Sequence, residues 1–515
     1  MKEFIFMPLL HYNYEIDSVG SKMSGFGGMM PYFDLIDLLK IPQSVDQFMG
    51  TGGSQGWMDR QHVLTGLILN LAGGDCVDDI LKLENDKGLC ETMKVLECTG
   101  MSRIEKKLFA KRFRKGRTHT FSSLTAMRNW LSEFHNAEEE GKRKEKTSFI
   151  PAPNEKLKGL IETNNQLIKN AVSLCKSTKL PPLTCATIDL DATFTETHKK
   201  NALYCYKGFK AYQGLTAFWA ETGLALFSDF RDGNVTPSFN NYEAVRHVYD
   251  MLTSMGIYDL WFRSDSAAYQ HEILHMLDSG DNNRWPRVKF SVPCKIVKEF
   301  REAVSLVEES DWEEVRNKKG ELMYEWANVA YAPYGLALSK SSYRYIAIRT
   351  PEEQGILPGT NDNNGREDLD SRDVILNNRA YRLSGLTTNI EKTDGKSDAE
   401  IIEWNYQRCG KGEEVHAIMK NDLAGGQLPS ELFGANAAWW GMMLLAFNVH
   451  AVMRMLVLPD TLKPKRFKAL RFMLLQTPAR VVEHGRQLYI RLARDNPVFE
   501  ILKSMRLIIA SLSFA

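Results

Sequence analysis

Three acidic stations hold residue types that suit divalent-metal chemistry on a phosphodiester: IDLDAT at 188–193, RSD at 263–265 and YQRCGKGEEVHAIMK at 406–420. A phosphodiester is already anionic, so an enzyme that cuts or joins such a bond gains most from cations that polarise its oxygens and activate the attacking oxygen. Carboxylates are the ligands such hard cations take. Two carboxylates about 4 Å apart repel by roughly 4 kcal/mol at an effective dielectric of 20. Without a cation, such a cluster splays or takes up a proton.

In the first station Ile188 and Leu190 alternate with Asp189 and Asp191. A strand there would bury the apolar pair on one face and present both acids on the other. An edge strand with solvated acids would have the same pattern. In the second, YDLWFRSD (258–265) reads as an apolar strand ending in Asp265, with Ser266 as candidate N-cap of a following helix. The end of a buried strand is where α/β folds place their chemistry, although Asp is also a common turn residue. In the third, Tyr406, Glu413 and Lys420 lie seven apart, two turns each, and a continuous helix would align them. Val415, Ile418, Met419 and Leu423 form a separate apolar stripe that would seat it. Gly410 and Gly412 each cost about 1 kcal/mol inside a helix. The expectation is therefore a regular helix beginning near Gly412, with Glu413 in its first turn and favoured by the dipole.

Taken together, the stations resemble the catalytic core of bacterial insertion-sequence transposases of the DDE class, in the branch with a Y-x2-R-x3-E-x6-K helix. The resemblance covers about 180–455: Asp191 to Thr193, the loop RDGN at 231–234, RSDS around Asp265, LTTN at 386–389, and Tyr406, Glu413 and Lys420 in register. The signature Arg position holds Cys409, with Arg408 one residue earlier. The resemblance implies Asp191, Asp265 and Glu413 as a metal-binding triad, with Asp189 and Glu414 as runners-up for the first and last positions. It implies two Mg²⁺ or Mn²⁺ ions, which suit all-carboxylate ligation better than zinc. The implied reaction is hydrolysis at the element's end, then in-line attack of the freed 3′ hydroxyl on a target phosphodiester. Lys420, Tyr406, Arg408, Arg231 and Asn234 are the implied DNA contacts. The implied partners are double-stranded DNA, as element ends and target, and a second copy of the chain in a synaptic homodimer.

Composition is that of an ordinary globular protein, 43% apolar and 25% charged. A net charge of +1 argues against a generic nucleic-acid coat, but the charge is unevenly spread. Arg103, Lys106, Lys107, Lys111, Arg112, Arg114, Lys115 and Arg117 face a single acid, Glu105, and the chain from Arg454 onward carries twelve basic residues and four acids. These runs are candidate phosphate tracks, or else solvated helix faces. The eight cysteines include no C-x-x-C pair, so neither a zinc ribbon nor a disulfide framework is indicated. Reduced thiols, and no signal peptide at the start, fit a cytoplasmic, nucleoid-associated protein. The apolar stretch 435–459 is broken by Asn448, His450 and Arg454 and reads as a buried helix rather than a membrane span.

At 515 residues the chain should hold several domains. Residues 1–150 read as a helical DNA-binding region and linker. Within it, 59–72 and 75–84 outline two helices compatible with a helix-turn-helix, and the charged segment 136–153 reads as the linker. Residues 151–295 and 381–455 would form the two parts of an α/β, ribonuclease H-like core. That core would be interrupted at 296–380 by a β-rich insertion subdomain in which Trp312 and Trp326 could stack on an unpaired base. Residues 456–515 read as a basic helical region. Two other classes compete with a transposase: a domesticated, non-catalytic DNA-binding relative, and a carboxylate-pair hydrolase of small substrates.

Overall fold

The alternation around the first station is realised as a strand, with Ile188 and Leu190 at 1% exposure on one side. The computed structural model describes residues 22–50, 55–113, 117–176, 178, 183–333, 343–351, 373–376, 379–484 and 487–512. Its strands are β1 (Lys22–Ser24), β2 (Cys185–Glu196), β3 (Leu203–Tyr204), β4 (Lys210–Trp219), β5 (Leu224–Asp232), β6 (Asp259–Ser264) and β7 (Lys289–Pro293). They continue as β8 (Glu313–Arg316), β9 (Leu322–Val329), β10 (Arg344–Pro351), β11 (Asp373–Leu376), β12 (Arg379–Thr388), β13 (Ala479–His484) and β14 (Gln487–Arg491).

Strands β2 to β12 form one mixed sheet of eleven, and helices flank it, so the fold is α/β. At its centre β2 pairs parallel with β6, and β6 parallel with β7. On the other side of β2 come β4 and then β5, both antiparallel. The β-rich segment expected at 296–380 does not stand apart from this core. Through β12, antiparallel to β7, its strands extend the same sheet in the order β12, β10, β9, β8. Trp312 and Trp326 are buried in it, and Trp312 lies under the Arg349 guanidinium at 4.1 Å. Neither indole is placed to stack on a base.

The apolar stretch at 435–459 forms a helix, Phe433–Val452, buried on nearly every side. A helix apolar all round is what a large core takes in. It packs against the helix Asp59–Ala72, every residue of which is buried, with Met442 filling the space beside Gly66. The helix Asp59–Ala72 is therefore enclosed by its own protein, whereas the following helix, Ile80–Asn85, keeps Leu81 and Lys82 exposed. The segment 136–153 is tied down rather than a free linker. Arg143 makes a buried two-point ion pair with Asp232 (2.6 Å each), and the Glu140 carboxylate accepts from the backbone N–H groups of Phe433 and Gly434. An acid at that N-terminus satisfies orphan donors and complements the dipole. The C-terminal region is part strand: β13 and β14 pair as a hairpin, and β13 also pairs with β1.

Candidate active site

Strands β2 and β6 run in register, Asp189 beside Arg263 and Leu190 beside Ser264, with the Ser264 hydroxyl donating to the Leu190 carbonyl at 3.0 Å. One step further along the parallel pair stand Asp191 and Asp265. Neighbouring strands lie about 4.8 Å apart, so the pairing that sequence alone left open is made by backbone register. Asp265 ends its strand by capping a short turn, its Oδ1 accepting from the Ala267 N–H at 2.9 Å. The following helix begins only at His271, so Asp265 rather than Ser266 is the capping residue here.

The helix over these acids is Asp398–Ala417, opened by a capping box in which the Ser397 hydroxyl and Glu400 carboxylate exchange bonds with each other's backbone N–H. It does not begin near Gly412. The cap nucleates it fourteen residues earlier, so Glu413 sits well inside it, beyond the first turn in which the dipole would favour a carboxylate. A five-residue π-helix, Ile418–Asp422, continues it. Both glycines lie inside the helix. A Cβ on Gly412 would sit 3.3 Å from Asp191 Oδ2, whereas one on Gly410 would meet nothing within 4 Å. Gly412 thus lets the helix lie directly on the first acid, which explains an otherwise costly residue. Gly412→Ala is expected to leave stability unchanged or raised while cutting any activity that needs Asp191. Gly410→Ala should raise stability by about 0.5–1 kcal/mol and leave activity alone. Thermal unfolding and a cleavage assay on both variants check this pair of outcomes.

The stripe that faces Asp191 is Arg408, Gly412 and His416, spaced by four, not the Tyr406, Glu413, Lys420 stripe. Arg408 Nη1 is 3.7 Å, and His416 Nε2 3.3 Å, from Asp191 Oδ2. The guanidinium at 408 therefore reaches the first acid. Asp191 also accepts from the Ala192 N–H at 3.0 Å. Burial pushes its carboxyl up, but His416, Arg408 and that N–H outweigh it and hold the group below the usual carboxylate range. For Asp265 burial dominates, and the neighbouring Asp191 charge adds to it, so its carboxyl lies above the usual range. Two adjacent acids pushed in opposite directions are a recurring mark of functional sites.

Glu413 is exposed, as is Tyr406, whose ring meets Tyr324 edge-on at 5.9 Å. Lys420 is half-buried. Its Nζ donates to Thr193 Oγ1 (3.0 Å) and the Phe194 carbonyl (3.1 Å), and burial lowers its pKa. Among the described residues no three His, Cys, Asp or Glu side chains are gathered as a metal set. Asp191 and Asp265 stand as a pair, and Glu413 is on the overlying helix next to the Gly412 contact.

Several sequence candidates have other work. Both Asp189 oxygens accept from Arg263, Nε at 2.7 Å and Nη2 at 2.8 Å, in a buried pair. Arg263 also donates to the Trp404 carbonyl of the overlying helix. Asp189 is thereby an anchor, and its place among the metal ligands is corrected. Arg231 is fully buried, bound to Asp229 and the Phe239 carbonyl, so it cannot touch a phosphate. Asn234 donates to the Lys144 and Thr147 carbonyls and holds the 136–153 strap rather than DNA. In the first basic run Arg112 donates to the Gly56 carbonyl, and Arg117 is spent on Glu97, the Thr120 carbonyl and the Trp57 ring. Lys111 is exposed, like Arg103, Lys106 and Lys107, while Arg114 and Lys115 lie outside the described residues. His416 and Arg263 were missed, although the four-residue spacing of Arg408, Gly412 and His416 was there to be read.

The model of the transposase DDE domain, group 1, matches residues 9–514. The chain therefore belongs to the DDE transposase family, whose members cleave and rejoin DNA strands. Among solved structures, a piggyBac transposase synaptic complex with hairpin DNA is similar at 11% identity and a TM-score of 0.37, covering 87% of this chain and 80% of that one. Among curated proteins none matches.

Proposed function

We propose that this chain is the transposase of an insertion sequence, of the branch with the Y-x2-R-x3-E-x6-K helix, acting on its element's terminal inverted repeats. The observation that carries the reading is Asp191, within β2, standing beside Asp265, which follows the end of its parallel neighbour β6, with the Glu413 helix laid over them. Antiparallel β5, β4 and β2 continuing into parallel β6 and β7 support a ribonuclease H-like core, to which β8 to β12 are an addition.

The residues fit a divalent cation. Asp265 holds a carboxyl raised by burial and by a second carboxylate, a conflict that a bound cation relieves. Asp191, Asp265 and Glu413 would hold one or two Mg²⁺ or Mn²⁺ ions, which supply charge neutralisation at the phosphodiester and activation of the attacking oxygen. The chain's own groups do the rest. Arg408 and His416 keep Asp191 ionised and oriented. Lys420, fixed by Thr193 and Phe194, offers its ammonium to a phosphate beside Asp265. The exposed Arg103, Lys106, Lys107 and Lys111 give a cationic track for the duplex. A homodimer binding two ends, working in the cytoplasm at the nucleoid, completes the reading.

Glu414 separates the register choices, because it borders a cavity with Trp219, Glu221 and Phe447, away from Asp265. Glu413→Gln should abolish Mg²⁺-dependent nicking of duplex carrying the element's ends, while Glu414→Gln keeps most of it. The reverse order would put the catalytic residue one position later. Absence of nicking by the native chain, with tight salt-sensitive binding retained, would instead mark a domesticated DNA-binding protein.

A further inference from the structure

The cavity that Glu414 borders measures about 630 Å³ and lies between the site helix, the end of β4 and the buried helix Phe433–Val452. Its walls are mostly apolar, built from Leu183, Phe218, Trp219, Val415, Ile418 and Phe447. Two polar groups in it are unmet. His450, 2% exposed, lines the cavity; its Nδ1 lies 2.9 Å from the Tyr32 hydroxyl, but its Nε2 has no hydrogen-bond partner. Arg454, one turn further on, also lines the cavity and is half-buried, and among the described residues no carboxylate pairs with it. The other charged groups there, Glu414 at the rim apart, are engaged. Glu221 accepts from the Thr187 N–H at 2.9 Å, Asp189 is held by Arg263, and Lys463 pairs with Asp460 at 2.8 Å. A buried nitrogen left unsatisfied calls for an explanation such as a bound molecule. An apolar cavity with a few convergent polar groups is the usual form of a small-molecule site.

We propose that this cavity binds an amphiphilic carboxylate, a medium-chain fatty acid, with its chain between the apolar walls and its carboxylate on Arg454 and His450, and that occupancy holds the site helix where it lies. Burial, with the Arg454 and Arg471 charges, pushes the His450 imidazole down to about 3, so the ring is neutral and carries one N–H. With the Tyr32 phenol donating to Nδ1, that proton sits on Nε2, where a carboxylate accepts it. The Arg454 guanidinium supplies the charge and a two-point match to both oxygens. A free phosphate would use the guanidinium and leave the walls bare, and an amine head would meet Glu414 but neither Arg454 nor His450. The cavity also reaches the acids. Phe218 meets His416 edge-on at 5.5 Å, and His416 Nε2 is 3.3 Å from Asp191 Oδ2. A ligand stabilises the arrangement it binds, which here is the one with His416 on Asp191 and Glu413 exposed. The effect on cleavage, unlike the binding, rests on the reading of the acid pair as the cutting site.

Calorimetric titration of the full chain with dodecanoate, below its micelle concentration, reads the site directly. Dodecanoate should bind saturably at one per chain, and dodecyltrimethylammonium and inorganic phosphate at least about tenfold more weakly. Arg454→Met keeps the apolar stem and removes the charge, so it should weaken dodecanoate about tenfold. Ala451→Leu narrows the cavity and leaves both polar groups in place; it should weaken binding too, and keeps the test usable if Arg454→Met fails to fold. Hydrogen exchange of the site-helix amides at 405–417 should slow on binding, and Mg²⁺-dependent nicking should fall at least about fivefold. No saturable binding of dodecanoate, a preference for the ammonium, or undiminished affinity in either folded variant would overturn the site. Binding with unchanged exchange at 405–417 would overturn the hold on the helix. A native chain that nicks nothing would count against the cleavage reading instead, and leave the binding and exchange results standing.

Discussion

Asp191→Asn and Asp265→Asn should each lower metal-dependent strand cleavage by about a thousandfold or more, while duplex binding stays within about twofold. A metal ion stabilises transition-state charge by several kcal/mol, and each 1.36 kcal/mol is tenfold in rate. Binding should survive because it rests on cationic contacts to phosphate, and neutralising an acid beside a polyanion does not weaken those. The fold should survive as well. Asn is as good a cap as Asp for the Ala267 N–H that Asp265 holds, and Asp191 is partly exposed. A nicking assay run beside a binding titration reads both quantities. Cleavage within about tenfold of native by either variant would remove that acid from the site.

Arg263→Met should cost about 3–5 kcal/mol of stability, because it leaves the Asp189 carboxylate buried without its two-point partner. It also removes the bond from Arg263 to Trp404, which fixes the site helix to β6. Replacing both partners by apolar residues, Asp189→Leu with Arg263→Met, should recover most of the loss, as an ion pair exchanged for packing is often neutral. Denaturant unfolding of the two single variants and the double checks the cycle. If Asp189→Asn leaves stability native but abolishes cleavage, Asp189 is a ligand after all and its pairing with Arg263 is incidental.

The local patterns carried much of this architecture. Alternation in IDLDAT and the apolar run before Asp265 gave two strands within three residues of where they lie, since period two and a polar stop are read locally. That the two strands are parallel neighbours, with their acids side by side, depends on pairing between segments 74 residues apart and had no local signal. The site helix shows the opposite failure. Gly410 and Gly412 argued for a late start, but Ser397 and Glu400 begin the helix, and the close approach to Asp191 is the tertiary reason for a glycine. Charge alone could not tell a DNA contact from an anchor. Arg231, Arg117 and Asp189 look like site residues in sequence and are consumed by partners within the protein, Asp229, Glu97 and Arg263. The strap at 136–153 read as a linker because its charges were counted as solvated, whereas Glu140 and Arg143 are bound inside.

The most direct measurement is an anomalous difference map from crystals of the native chain grown with Mn²⁺. The expected result is a peak about 2.0–2.3 Å from carboxylate oxygens of both Asp191 and Asp265, with Glu413 turned to complete the set. A crystal saturated with Mn²⁺ that shows no peak between those two acids, or one held by other residues, would contradict the assignment.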